Sequence, residues 1–145
     1  MTKLKQTFYI KQVAWSTYEA ELRFIRESVF IKEQSVPVSL EWDGLDADAT
    51  HLIAIDYQNH ALGCARIVNQ NSIGRMAVLQ EKRGLGIGLS LLNAAVEHCR
   101  AQGQMLAKLS AQMHAVPFYE KSGFTVNSAP YLDANIWHVD MQLYI

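Results

Sequence analysis

The sequence predicts an α+β fold, a mixed and mostly antiparallel sheet with one parallel strand pair. Three observations point to it. Residues 51–79 read as three apolar strands joined by the turns Gln58-Asn59-His60 and Asn69-Gln70-Asn71, and connections that short force antiparallel pairing. The turn Arg83-Gly84-Leu85-Gly86-Ile87-Gly88 then opens a long helical pattern. A short apolar strand at 105–110 follows that helix, and so long a crossover implies parallel pairing along a right-handed path. Residues 76–78 are therefore expected beside residues 105–110, with both carboxyl ends at the glycine turn.

In chain order, residues 8–15 form the first strand. Ser16 or Thr17 suits the N-cap of a helix with Glu19 and Glu21 in its first turn. Tyr18, Leu22, Ile25, Val29 and Phe30 supply its apolar stripe, and Ser35-Val36-Pro37 stops it. Residues 38–50 lack apolar periodicity and hold Glu41, Asp43, Asp46 and Asp48. An irregular acidic loop is expected there, with Asp43-Gly44 as a turn. After the three strands, Leu85, Leu89, Leu92, Val96 and Cys99 recur at helical spacing, and Gly103 stands where a glycine ends a helix. Residues 115–122 make a short helix closed by Gly123. Phe124-Thr125-Val126 starts a strand, 130–135 is a loop, and 136–143 alternate as the last strand. With no repeat and no linker, residues 1–145 are expected to form one domain.

Half of the residues are apolar and 19% are charged, as in ordinary globular proteins. A formal net charge of −1 gives no electrostatic basis for holding nucleic acid or an anionic membrane. No apolar run reaches the length of a membrane span, and Met1-Thr2-Lys3-Leu4-Lys5-Gln6-Thr7 has no apolar core of the kind a signal peptide needs. Cys64 and Cys99 sit far apart in unlike patterns and read as buried free thiols, with a reducing cytoplasm as the expected location.

The glycine turn invites a phosphate. Glycines on alternate positions leave the backbone bare, and a helix N-terminus offers unpaired N–H groups at the positive end of a dipole. A tight turn that merely opens a helix is the plain alternative. No Lys follows the glycines as a P-loop requires. The third glycine comes one residue too early for a dinucleotide fingerprint, whose later carboxylate is missing from Met105-Leu106-Ala107-Lys108.

Two segments then combine. A strand ending Met76-Ala77-Val78 runs into Arg83-x-x-Gly86-x-Gly88, and Ala115-x-x-Phe118-Tyr119-Glu120-Lys121-x-Gly123-Phe124 comes later. In this order they resemble the GCN5-related N-acetyltransferase (GNAT) family, whose site uses an Arg/Gln-x-x-Gly-x-Gly/Ala turn and a Phe-Tyr-x-x-x-Gly-Phe segment. The likeness runs from Phe8 to Leu143. Nearer the N-terminus, Arg26-Glu27-Ser28-Val29-Phe30-x-x-Glu33-Gln34-x-Val36-Pro37 followed by Glu41-x-Asp43 and Asp46 looks like the ElaA-like branch. Acyl-homoserine-lactone synthases share a similar theme on a longer chain.

The resemblance implies a three-layer arrangement, with helices on both sheet faces and the parallel pair splayed at the cofactor site. It also implies acetyl-coenzyme A as co-substrate and direct attack by a primary amine of a small molecule or peptide. The amides of Gly84, Gly86, Ile87, Gly88 and Leu89 would hold the pyrophosphate. Arg83 would add charge there or stand as an ordinary surface residue. Backbone groups of Met76, Ala77 and Val78 would pair with the pantetheine as an extra strand, and Phe118 would border the cofactor. Many members carry Asn where this chain has Gln112, which keeps the amide donor and acceptor for the pantetheine arm or the helix start. Tyr119 is the candidate general acid for the departing thiolate, a phenol being protonated well above neutral pH.

Glu33 comes first as general base, since it follows a helix expected to border the acceptor cleft. Glu41, Asp43, His51 and His114 are further candidates. The acidic loop reads either as a wall that draws a cationic acceptor or as a solvated loop. His138 and Asp140 share one strand face, too few ligands for a metal site, and no metal is expected. Neither cysteine lies in the site region, in agreement with direct attack. Two other readings stay open: a non-catalytic acyl-coenzyme A-binding or sensing domain, and a longer-chain acyltransferase related to the lactone synthases. A homodimer built through the alternating C-terminal strand is a further expectation.

Overall fold

The computed structural model describes residues 7–145, so the reading of residues 1–6 as no part of a signal peptide lies outside them. Strands β1 (Phe8–Val13), β2 (Thr50–Asp56), β3 (Ala61–Val68) and β4 (Ser72–Val78) make the antiparallel meander. Strand β5 (Leu106–Gln112) runs parallel to β4. The short β6 (Thr125–Val126) and β7 (Tyr131–Asp133) both pair with the far side of β8 (Ile136–Tyr144), whose near side pairs with β5. The sheet order is β1-β2-β3-β4-β5-β8-β6. This is the mixed, mostly antiparallel α+β sheet that the turn lengths and the long crossover called for.

The helices are α1 (Trp15–Arg26), continued by a π-helical stretch over Glu27–Glu33, then α2 (Val38–Glu41), α3 (Ile87–Ala101) and α4 (Val116–Glu120). They lie on both faces of the sheet. Leu52 and Ala54 of β2 point into a core shared with Leu91, Ala95 and Cys99 of α3, while Ile53 and Ile55 point the other way onto Leu22 and Ile25 of α1. Covered on both faces, β2 and β3 read as nearly continuous apolar runs rather than alternating ones. Both cysteines are buried free thiols, as expected.

Four local expectations need correction. Ala14, not Ser16 or Thr17, caps α1, and no side chain bonds its open amides. Trp15 begins that helix because its ring packs under the Arg23 and Arg26 guanidiniums. The buried stripe of α3 holds the expected Leu92, Val96 and Cys99 together with Ile87, Leu91 and Ala95, but Leu85 and Leu89 are exposed, because the helix starts only at Ile87 with Gly86 as its N-cap. Residues 130–135 are not a loop. Ala134 and Asn135 at φ 50° and 64° give the two left-handed residues of a type I′ turn, so β7 and β8 form a hairpin without the usual Asn-Gly signal. Strand β8 lies between β5 on one side and β6 with β7 on the other, so it offers no open edge for pairing across a dimer. Gly103 does close α3: its N–H reaches Arg100 O at 3.0 Å and Gln104 N reaches Cys99 O at 3.1 Å, a Schellman motif.

The parallel pair is shorter than expected. Only Ser72 with Lys108 and Ile73 with Leu109 are in register, and residues 76–78 of β4 leave β5 instead of lying beside it. A bulge provides the local cause. Cys64 faces Ala77 and Arg66 faces Gly74, so two residues of β4, Arg75 and Met76, oppose the single Ala65. Arg75 sits at φ 46°, in the left-handed region, and the extra residue bends β4 away.

Candidate active site

The divergence of β4 and β5 opens a cleft of about 790 Å³. Gly74–Val78 of β4 line one wall, Ser110 and Gln112 of β5 the other, and Tyr119 of α4 is reached between them. Glu33 and Gln34, at the end of the π-helical stretch, close one side. Of the residues singled out in the sequence, Glu33, Met76, Ala77, Val78, Arg83, Gln112 and Tyr119 thus share one cavity.

The glycine turn stands outside that cavity, at the head of α3. Gly84 and Gly86 hold φ values of 81° and 85°, and a Cβ built on either would meet nothing within 4 Å. No side chain of the described residues fills the turn. The amides of Ile87, Gly88 and Leu89 belong to the first turn of the helix, which leaves them without intrahelical partners, and no side chain caps them. A Cβ built on Gly88 would lie in ordinary contact with its neighbours, 3.5 Å from the Phe118 ring and 3.8 Å from Val78 Cγ2. Ile87 turns its side chain into the core and Leu89 is half-exposed, so only their backbones can serve the turn. Gly86→Ala is expected to cost roughly 1–2 kcal/mol of stability in urea denaturation, the penalty of a Cβ in the left-handed region.

Phe118 meets Tyr119 edge-on at 5.1 Å, and Tyr119 meets Phe124 edge-on at 6.1 Å. This aromatic packing fixes the phenol. Its hydroxyl donates only to Met76 Sδ, at 3.7 Å, a weak acceptor. Burial pushes the Tyr119 hydroxyl up to about 12, so the proton is held firmly at neutral pH.

Glu33 and Arg83 both line the cleft but are bonded to each other. The Arg83 guanidinium forms a fork with the Glu33 carboxylate, both bonds 2.7 Å, while its Nε donates to Val78 O at 3.0 Å. The hydrogen bonds from Arg83 hold the Glu33 carboxyl below its usual range, which weakens it as a proton acceptor. The charge of Arg83 is in turn matched by Glu33 and not free for a diphosphate. Together the two residues tie the α1 extension to the end of β4. Gln112 makes a similar tie, its Nε2 donating to Gln34 Oε1 at 2.7 Å.

Three of the acidic loop's four carboxylates, those of Glu41, Asp43 and Asp46, are taken by arginines of the same chain and so form no free wall for a cation, while Asp48 is exposed as in a solvated loop. Arg26 is buried against Glu41 (2.8 Å) and Asp46 (2.6 Å). Arg66 forks onto Asp43 at 2.7 and 2.9 Å and reaches Asp46 at 3.1 Å. Arg75, the bulge residue, contacts Glu41 at 3.0 Å and Asp43 at 3.2 Å and donates to Glu41 O at 3.1 Å. The loop thereby pins the left-handed residue that opens the cleft. The Trp42 ring lies 4.9 Å from the Arg26 guanidinium, and Asp43-Gly44 is the expected turn, with Leu45 N on Asp43 Oδ1 at 3.1 Å.

Three base candidates fall away here. Glu41 and Asp43 are spent on arginines. His51 is buried away from the cleft, tilted against Trp15 and bonded through Nε2 to Asp46 O at 2.8 Å. His114 does line the cleft, from an exposed turn.

This cluster sets an acid limit on stability. Asp43 and Asp46 feel burial, which works to raise their carboxyls, but hydrogen bonds and charge from Arg66 and Arg26 prevail and hold both below 3.8. Carboxyls lowered on folding stabilise the fold above their unfolded value and lose that contribution as pH falls. For Glu41 burial prevails and raises the carboxyl above 4.5, so its contribution has the opposite sign and grows as pH drops towards 4.5. The urea midpoint is therefore expected to hold or rise slightly down to pH 4.5 and then drop below 3.8. Asp46→Asn should flatten the acid drop, measured by fluorescence across the same pH series.

Two groups of residues escaped notice in the sequence. The arginines Arg26, Arg66 and Arg75 come from different elements, and only Arg26 belonged to a motif. The second group covers the cleft side of β5, β7 and β8, where α1 does not reach: Ser110 bonds the Tyr131 hydroxyl, which donates to Asp140 Oδ1 at 2.6 Å, beside His138. The shared strand face of His138 and Asp140 was the available signal.

A mixed sheet parted at its parallel pair, with a bare glycine turn heading the crossover helix and a phenol in the gap, defines an acyltransferase that uses an acyl-coenzyme A. The family model for the acetyltransferase (GNAT) domain matches residues 12–145, and the chain belongs to the GNAT family. It is 35% identical over 122 residues to the uncharacterized N-acetyltransferase YjcF of Bacillus subtilis, covering 81% of this chain and 86% of that protein. The crystal structure of Escherichia coli ElaA superposes with a TM-score of 0.82 at 25% identity, covering 93% of this chain and 98% of ElaA. An acyl-CoA N-acyltransferase from Pseudomonas aeruginosa superposes with a TM-score of 0.81 at 28% identity, covering 93% and 97%. No helix of the described residues is long and apolar enough to cross a membrane.

Proposed function

We propose that the chain moves an acetyl group from acetyl-coenzyme A to a primary amine of a small molecule or peptide, by direct attack and without an acyl-enzyme. The observation that carries this is the junction of an unfilled glycine turn with a cleft whose one wall is the unpaired edge of β4. The diphosphate would lie on the amides of Gly84, Gly86, Ile87, Gly88 and Leu89, at the positive end of α3. The pantetheine would complete the ladder along Met76, Ala77 and Val78, with Gln112 across the gap and Phe118 beneath the turn. An amide of β4 would polarise the acetyl carbonyl. As the carbon–sulfur bond breaks, the Tyr119 hydroxyl exchanges its weak bond to Met76 Sδ for the developing thiolate, to which it gives its proton. Glu33 acts through Arg83, bracing the acceptor side of the cleft against Val78. We place this reaction in the cytoplasm.

The test is a thermal-shift panel of acetyl-coenzyme A, coenzyme A, ATP and NAD, followed by thiol release across an amine series. A ligand at a hundred times its dissociation constant adds about 2.7 kcal/mol. Stabilisation by the two coenzyme A species, with thiol released by at least one amine, supports the reading. Stabilisation by ATP or NAD alone overturns it.

A further inference from the structure

Acyl transfer as proposed above leaves one chemical need unmet. An alkyl amine is an ammonium at neutral pH and must lose a proton before it can attack; of the carboxylates that line the cleft, Glu33 and Glu41 are committed to arginines, and Asp133 stands at the turn between β7 and β8. His138 differs from all of them. It sits at 9% exposure on β8, lines the cleft, and is the register partner of Gln112 on β5 and of Tyr131 on β7. Cross-strand partners share a sheet face, so the three side chains lie together on the floor that α1 leaves uncovered.

The ring is held in one orientation. Its Nδ1 is 2.7 Å from Ile136 O. A carbonyl oxygen only accepts, so Nδ1 carries the hydrogen and Nε2 of the neutral ring carries the lone pair. Among the described residues Nε2 has no protein partner and is not one of the sealed, unpaired polar atoms, so on a ring that lines the cleft it is open to a ligand there. The Tyr131 ring stacks on the imidazole at 6.0 Å and 20°, and Tyr131 is itself fixed by Asp140 and Ser110. A clamped donor on one nitrogen and a free acceptor on the other is the arrangement of an oriented base.

We propose that His138 is the general base of the transfer, taking a proton from the acceptor ammonium at Nε2. The freed amine attacks the acetyl carbon and the carbon–nitrogen bond forms. On collapse the carbon–sulfur bond breaks, its electron pair leaves with sulfur, and sulfur takes the Tyr119 proton. The amide nitrogen returns its second proton to Tyr119 through solvent, and the imidazolium releases one proton to water. One ammonium and one thioester thus yield one amide, one thiol and one proton. The charged and titratable groups around the ring are Tyr131 and Asp133 on β7, Asp140 on β8, Lys108 on β5, His114 at the end of β5, and the Glu33–Arg83 and Glu41–Arg75 pairs across the cleft.

The experiment compares wild type, His138→Gln and His138→Ala on two acceptors: an alkyl amine, protonated at assay pH, and a weakly basic aromatic amine, already neutral. The expected result is a loss of about 10²–10⁴-fold in kcat/KM for the alkyl amine. A much smaller loss is expected for the aromatic amine, with acetyl-coenzyme A affinity kept and the acid limb of the pH profile removed. Added imidazole should partly restore His138→Ala. Equal losses on both acceptors, or an unchanged alkyl-amine rate, overturn the base. Wild type that neither binds coenzyme A species nor releases thiol overturns the transfer reading itself, and the base with it. If the variants do not fold, ¹⁵N NMR of the wild-type ring decides: Nδ1–H with bare Nε2 supports the proposal, and the reverse tautomer ends it.

Discussion

Tyr119→Phe is expected to lower turnover by about 10²–10⁴-fold, the usual worth of a placed proton donor, while leaving the affinity for acetyl-coenzyme A unchanged. The variant keeps the ring, so the edge-on contacts to Phe118 and Phe124 survive and only the proton is lost. Steady-state thiol release gives the rate, and calorimetric titration of the cofactor gives the affinity. The wild-type rate should show no alkaline fall from this group around pH 10, because burial pushes its hydroxyl to about 12. Turnover equal to wild type removes Tyr119 from the acid role.

The second large effect falls on stability. Arg26→Met is expected to cost about 3–5 kcal/mol in urea denaturation, because it leaves Glu41 and Asp46 buried without their main counter-charge. Against a usual total of about 5–15 kcal/mol this is a large share. Cavity formation does not explain it, since Met keeps most of the side-chain length. Replacing Glu41 by Gln and Asp46 by Asn in the same chain should recover part of the loss, because neutral amides need no counter-charge and can still accept from Arg66 and Arg75, which both keep Asp43. If the triple variant is no more stable than Arg26→Met, the cluster acts through packing and not through charge.

The sequence carried the fold where local signals agree with tertiary ones. Ala61–Val68 was read to the residue because a turn stands on each side of it, and Gly103 was legible because a left-handed residue after a helix has one common solution. The start of α1 was not. A hydroxyl at Ser16 or Thr17 is the better local cap, but tertiary packing of Trp15 under two guanidiniums outweighs it. The Ala134-Asn135 turn escaped for a related reason, since Ala seldom takes a positive φ and advertises no hairpin.

For the site, Glu33, Met76, Ala77, Val78, Arg83, Gln112 and Tyr119, all named from the resemblance, line one cleft, because that likeness encodes contacts which no single-chain periodicity contains. What stayed hidden was pairing. Glu41, Asp43 and Asp46 say nothing of Arg66 and Arg75, twenty or more positions away in the chain, which reach back to neutralise them. Likewise nothing in Glu33 announces Arg83, fifty residues on. Charge partners distant in sequence are set by the sheet order and become readable only once that order is known.

The bulge at Arg75 has a consequence for how the molecule meets its co-substrate. The Glu41 carboxylate that holds it is buried, its side chain 3% exposed, so dissolved ions have little purchase on that pair. The slot between the two strands is in this sense preformed. A long, amide-bearing thioester would slide into a fissure already at its working width, and raising the ionic strength would loosen its phosphates without shutting the gap.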